Sequence, residues 1–200
     1  ACMPNTEPAI DSAEVVLMIK KKSAKHLVDV YPIAAATVGR KGEVLSPMAE
    51  LVEAGAVAFS DDGVAIRTSY ILKNAMEYAG MFNAPIIEHC EDDTLADGAM
   101  NESYTSTLLG LPPLPSVSED IIVMRDILMA EYTGKHVHIA HISTKKSVEM
   151  VREAKKKGIK VTAEVTPHHF TLTEESVKTY DTNTKMNPPL RSKDDLSEML

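Results

Sequence analysis

Five short apolar runs rich in Val and Ile, at 26–35, 56–60, 84–89, 135–142 and 159–165, have the length of buried strands. Between them apolar residues return at helical spacing. The stretch 11–22 puts Val15, Val16 and Ile19 on one face, and 46–54 turns Leu51 and Val52 inward after Pro47 in its first turn. The stretch 69–82 spaces Leu72, Ala75, Met76 and Ala79 at i, i+3, i+4 and i+7. Ser116-Val117-Ser118-Glu119 has the form of a capping box, opening a helix that runs to about Tyr132 and closes at Gly134. A further amphipathic helix spans 144–157, with Val148, Val151 and Ala154 inward and Lys155, Lys156 and Lys157 on a solvated face, and another begins at Ser192 and runs to Leu200. Strands alternating with helices imply βαβ units and a parallel sheet, either open or closed into a barrel. The segment 91–115 is long for a strand-to-helix connection. It is expected to carry a short helix near Thr94–Met100, with the rest bordering the mouth of a site, and the sequence does not say whether 91–115 acts as a lid.

Parallel α/β folds collect ligands at the C-terminal ends of their strands. Those ends carry Phe59-Ser60-Asp61-Asp62-Gly63, Glu88-His89-Cys90-Glu91-Asp92, His138-Ile139-Ala140-His141 and Thr166-Pro167-His168-His169. One such residue would be an ordinary solvated turn group. Four successive strands delivering His or Asp to one rim point to a metal centre with imidazole and carboxylate ligands, a set that suits zinc. Strand alternation groups bulky Val57 and Phe59 with Asp61, and small Ala58 and Ser60 with Asp62, which turns Asp62 to the interior. The same alternation separates His141 from His138 without choosing between them. Neither a G-x-G-x-x-G turn nor a phosphate-binding loop is present.

Composition narrows the classes. Two hundred residues carry 21 Lys+Arg against 29 Asp+Glu, a net charge of −8, with no long basic run, so a nucleic acid is not an expected partner. No apolar stretch is long enough to span a bilayer and no secretory signal opens the chain, so no membrane partner is expected and a cytoplasmic protein is. Cys2 and Cys90 form no metal-knuckle spacing or disulfide framework. Cys90, beside His89, is expected to point to the opposite face as packing.

Met3-Pro4-Asn5-Thr6, Phe59 to Gly63, Glu88 to Asp92, His138-Ile139-Ala140-His141-Ile142-Ser143-Thr144, Thr162 to His169 and Lys185-Met186-Asn187-Pro188-Pro189-Leu190-Arg191 together resemble the bacterial dihydroorotases of the amidohydrolase superfamily, in order and almost end to end. The resemblance implies an α/β fold of the (β/α)8 TIM-barrel type, in which the five strands are numbers three to seven and the chain enters from the end of strand two. Such barrels take about 250 residues, so residues 1–200 read as the central part of a single barrel domain, an internal fragment lacking strands one and eight.

Carried over residue by residue, Asp62 matches the carboxylate bridging two zinc ions, and His89 and His141 match ligands of the more exposed ion. Asn5 and Asn187 match substrate contacts. His168 and His169 match no ligand and are expected to shape their loop. The His-x-His pair of strand one and the proton-shuttling Asp of strand eight have no counterpart, so no catalytic acid or base is assigned. The implied reaction is reversible hydrolysis of dihydroorotate to N-carbamoyl-aspartate in pyrimidine biosynthesis, with zinc-activated hydroxide as nucleophile. A homodimer and aspartate carbamoyltransferase are candidate partners. The alternatives are a non-catalytic scaffold for that transferase, or another cyclic amidase such as an allantoinase or dihydropyrimidinase, which place lysine where Asp62 stands.

Overall fold

The structure, a computed structural model, describes residues 1–199. It divides into two compact units. The first comprises Ala1–His89 with Leu128–His138; the second comprises Cys90–Ile127 with the described residues from Ile139 onward.

In the first unit, strands β1 (Ile33–Ala35), β2 (Ala58–Ser60) and β3 (Ile86–Glu88) run parallel in that order. The register is Ile33 with Ala58, Ala35 with Ser60, and Phe59 with Ile86. Helix α1 (Ala13–Ser23) precedes β1, and helices α2 (Met48–Ala54) and α3 (Ser69–Ala79) connect the three strands. The small, fully buried Ala34, Ala35 and Ala36 leave room for Phe59, Met48, Leu51 and Val16, all wholly buried. On α3 the inward residues are Leu72, Ala75, Met76 and Ala79, as their spacing requires. Its Thr68 cap accepts the Ile71 N–H at 3.2 Å. The first strand is much shorter than its apolar run. Leu27 and Val28 are exposed, and the ladder is reached only at Pro32, which bridges Cys2.

Strand β6 (Val137–Ile139) begins in the first unit, where Ile86 N–H donates to the His136 carbonyl, and ends in the second, where the Glu164 N–H donates to the Ile139 carbonyl. The second unit contains β4 (Met100–Asn101) and β5 (Pro113–Leu114) as a separate parallel pair, α4 (Tyr104–Leu109), α6 (Lys145–Lys156), β7 (Val161–Ala163) and α7 (Lys193–Met199). Helix α5 (Val117–Thr133) starts in this unit and finishes in the first. The expected helix end at Leu200 lies outside the described residues.

Two expectations are corrected here. The helix placed near Thr94–Met100 is a turn followed by β4, and the helix of this segment lies at α4, where Ser103 and Ser106 form the reciprocal cap. Residues 101–115 are tied to the segment 174–180: Asn101 donates to Glu174 (2.6 Å), Thr105 to Glu175 (3.3 Å), and the Tyr180 hydroxyl to the Leu109 carbonyl (2.8 Å). Glu119 starts α5 but does not close a capping box, because its carboxylate is turned to the loop after β6.

Candidate metal centre

Register alone brings the first two ligand candidates abreast. Phe59 pairs with Ile86 on parallel neighbours, and Asp62 and His89 each follow three residues later. Strands in a sheet lie about 4.8 Å apart, and one ligand atom of Asp62 lies within 4.8 Å of one of His89. His89 is buried and Asp62 half-buried.

The two aspartates after β2 divide their labour. Asp61 is buried and accepts the Thr37 N–H (3.0 Å) and the Thr37 hydroxyl (2.6 Å), tying the end of β1 to the end of β2. Burial pushes its carboxyl above the usual range, and the Thr37 bonds hold it back. Asp62 is anchored through its main chain: its N–H donates to Ser60 Oγ (3.0 Å), and its carbonyl accepts from Arg40 Nη1 (2.7 Å). That anchoring leaves the carboxylate unconsumed. Arg40 is a site-supporting residue that the sequence pattern did not single out, since a lone Arg in a loop carries no periodic signal.

In the second unit His141 follows β6, half-buried, with φ of 35°. A non-glycine residue held there is an outlier that its surroundings must enforce. They do so on its C-terminal side. The Ile142 N–H donates to the Glu164 carbonyl (2.8 Å), and Glu119 accepts the N–H groups of Ser143 (2.9 Å) and Thr144 (3.1 Å) and the Ser143 hydroxyl. Beneath lies buried Arg191, donating to Ser143 Oγ (3.0 Å), Asn101 Oδ1 (3.0 Å) and the Leu114 carbonyl (3.2 Å). His138, the alternative left open by alternation, sits mid-strand between fully buried Val137 and Ile139, not at the strand end.

Asn5 and Asn187 are both exposed, Asn5 in the first unit and Asn187 in the second. The residue after Asn187 is held: the Pro188 carbonyl lies 2.9 Å from Nε2 of His169. Cys90 is buried, its thiol donating to Asp126 at 3.4 Å, as packing rather than as a ligand. Asp126 is wholly buried and is pushed up to about 6 by that burial, against the pull of Arg125. Asp62 and His89, a carboxylate and an imidazole at ligand spacing within the first unit, are donors of the kind that fit a borderline cation such as zinc.

A family model described as Dihydro-orotase-like matches residues 1–147. The chain belongs to that family. Among curated relatives, the dihydroorotase of Pelotomaculum thermopropionicum is 54% identical over 198 residues, covering 98% of this chain and 46% of the relative. The dihydroorotase of Acetivibrio thermocellus is 51% identical over 202 residues, covering 100% of this chain and 47% of its own length. The chain thus spans just under half the length of these relatives. Among solved structures, the L-hydantoinase (dihydropyrimidinase) from Arthrobacter aurescens superposes with a TM-score of 0.81 at 20% identity, covering 98% of this chain and 46% of that one. A D-hydantoinase superposes with a TM-score of 0.73 at 17% identity. These likenesses show an α/β barrel fold shared with the hydantoinases, of which the chain represents under half. Among the described residues no helix is long and apolar enough to cross a membrane.

Proposed function

We propose that the polypeptide carrying this chain is a metal-dependent dihydroorotase, interconverting dihydroorotate and N-carbamoyl-aspartate, and that Asp62, His89 and His141 are metal ligands in it. The observation that carries the reading is the juxtaposition of Asp62 and His89 at the ends of adjacent parallel strands, in a chain about half identical to proteins named dihydroorotase. Zinc is the metal the donor set favours, as two ions in the whole protein, and when bound it supplies Lewis acidity and lowers the pKa of water toward neutrality.

The chain's own residues have separable tasks. Asp62 contributes negative charge from a rigid turn, because Arg40 fixes its carbonyl. His89 contributes an imidazole from a buried position, and His141 one from a backbone whose following residues Glu119 holds. Asn5 and Asn187 each offer an amide donor and acceptor, the pattern needed to orient a cyclic amide for attack. Residues 1–199 belong to one barrel domain in this reading. Cys2 and Cys90 are not joined in a disulfide among the described residues, which suits the reducing cytoplasm. A homodimer and aspartate carbamoyltransferase remain the partners that the family resemblance suggests.

The hydantoinase likeness favours only the shared fold, whereas Asp62 and the run Asn187-Pro188-Pro189-Leu190-Arg191 favour dihydroorotate as substrate. The test is turnover by the whole polypeptide loaded with zinc, offered dihydroorotate, hydantoin and dihydrouracil in parallel. Dihydroorotate is expected to be preferred. Preference for either of the others would assign the site to a different cyclic amidase.

A further inference from the structure

Thr166, His168 and His169 form a hydrogen-bonded group in the second unit that the ligand assignment does not use. Thr166 Oγ1 lies 2.8 Å from Nε2 of His168 and 2.7 Å from Nδ1 of His169, and Nε2 of His169 lies 2.9 Å from the Pro188 carbonyl oxygen. The proton positions follow from what each atom can do. A carbonyl oxygen only accepts, so Nε2 of His169 carries a hydrogen. Burial lowers His169 to about 4, with the Pro188 bond pulling the other way, so the ring is neutral near pH 7 and its Nδ1 is an acceptor. The single hydrogen of the Thr166 hydroxyl therefore goes to Nδ1 of His169. Toward His168 the same oxygen can only accept, so His168 also carries its hydrogen on Nε2.

The chain of donors has one direction: His168 Nε2–H to Thr166, Thr166 O–H to His169 Nδ1, and His169 Nε2–H to the carbonyl of Pro188. Pro188 directly follows Asn187, and Pro188, Pro189, Leu190 and Arg191 are all buried while Asn187 is exposed. We infer that His169, oriented by Thr166 and His168, is a positioning residue that fixes the Pro188 carbonyl and thereby presents the Asn187 amide to substrate. The inference rests on the proposed reading of Asn187 as a contact to dihydroorotate.

Two measurements on the zinc-loaded whole polypeptide test it. Ring-nitrogen NMR shifts should show Nε2–H tautomers for both His168 and His169 near pH 7; a Nδ1–H tautomer at His169 would overturn the donor chain. In kinetics, His169→Phe keeps the ring volume and removes both bonds, whereas His169→Gln retains an amide N–H where Nε2 stood. His169→Phe should raise KM for dihydroorotate about tenfold, the order expected for one lost hydrogen bond, at unchanged zinc content, with kcat changing less. His169→Gln should recover most of that loss. A fall in melting temperature with KM unchanged in both variants would reduce His169 to packing and overturn its positioning role. Absence of turnover by the unmutated protein would instead remove the dihydroorotase reading, and with it the substrate role given to Asn187, while the tautomer measurement still decides the donor chain.

Discussion

Arg191 shows what a buried charge requires in this molecule. Its guanidinium is taken out of water, which lowers its pKa, and Glu119 at 3.8 Å is the largest influence opposing that shift. Removing one member of such a pair leaves the other uncompensated, at a typical cost of about 3–5 kcal/mol. Glu119→Gln should therefore lower the urea midpoint by an amount corresponding to about 3 kcal/mol, with the slope unchanged. Because Glu119 also constrains the residues after His141, zinc affinity should fall with it, by about 10–100-fold as for other lost supporting partners.

His169 and Asp126 give opposite pH dependences. His169 is lowered to about 4 from an ordinary value of 6.5, so between those values the unfolded chain binds more protons and stability falls as the solution is acidified. Asp126 is raised from 3.8 to about 6, so its contribution is complete below about 3.8 and is lost as pH rises through 6. Denaturant midpoints measured from pH 7 to pH 4 should decline less steeply for His169→Phe than for the unmutated protein. An identical decline would mean that His169 titrates normally.

At the scale of elements, Thr68→Ala removes the α3 cap and should cost about 1 kcal/mol. Gly98 marks a tighter constraint: a Cβ there would lie 2.6 Å from the Leu114 nitrogen and Cβ and from the Pro113 carbonyl carbon. Gly98→Ala must push β4 and β5 apart, with an expected loss of about 1–3 kcal/mol readable in the same unfolding curves.

The elements also show what pattern reveals. Helix α3 was legible down to its four inward residues, because repeated burial at helical spacing is a strong signal. Strand β1 was overextended, since the apolar run 26–35 includes residues left in solvent. Strands β4 and β5 were illegible, as two-residue ladders have no period to read. The motif at Ser116 to Glu119 located the start of α5 correctly but misdirected Glu119, whose hydrogen-bond donors Ser143 and Thr144 lie 24 and 25 residues away. Sequence spacing reports local geometry and is silent on a side chain that leaves its own helix.

For the whole molecule, the candidate site was legible because parallel strands deliver their C-terminal residues to one rim, and because Asp62 and His89 keep step once Phe59 and Ile86 are in register. The supporting groups Arg40, Glu119 and Thr166 were not, as their roles arise from contacts between distant segments or from proton positions. The chain spans under half the length of its dihydroorotase relatives. In the proposed reading, Asp62→Asn and His141→Ala should each weaken zinc by more than the roughly 10–100-fold typical of a lost supporting partner, while Asp61→Asn should act chiefly on stability through Thr37.

The proposed reaction is a metal-dependent attack on the cyclic amide of dihydroorotate, with Asp62, His89 and His141 proposed as metal ligands. Its most direct test is the rate of dihydroorotate hydrolysis by the whole polypeptide before chelation, after chelation and after readdition of zinc, compared between the unmutated protein and Asp62→Asn. The account predicts activity that chelation abolishes and zinc restores in the unmutated protein, and that zinc does not restore in Asp62→Asn. Hydrolysis that persists after complete metal removal, or that is undiminished in Asp62→Asn, would contradict it.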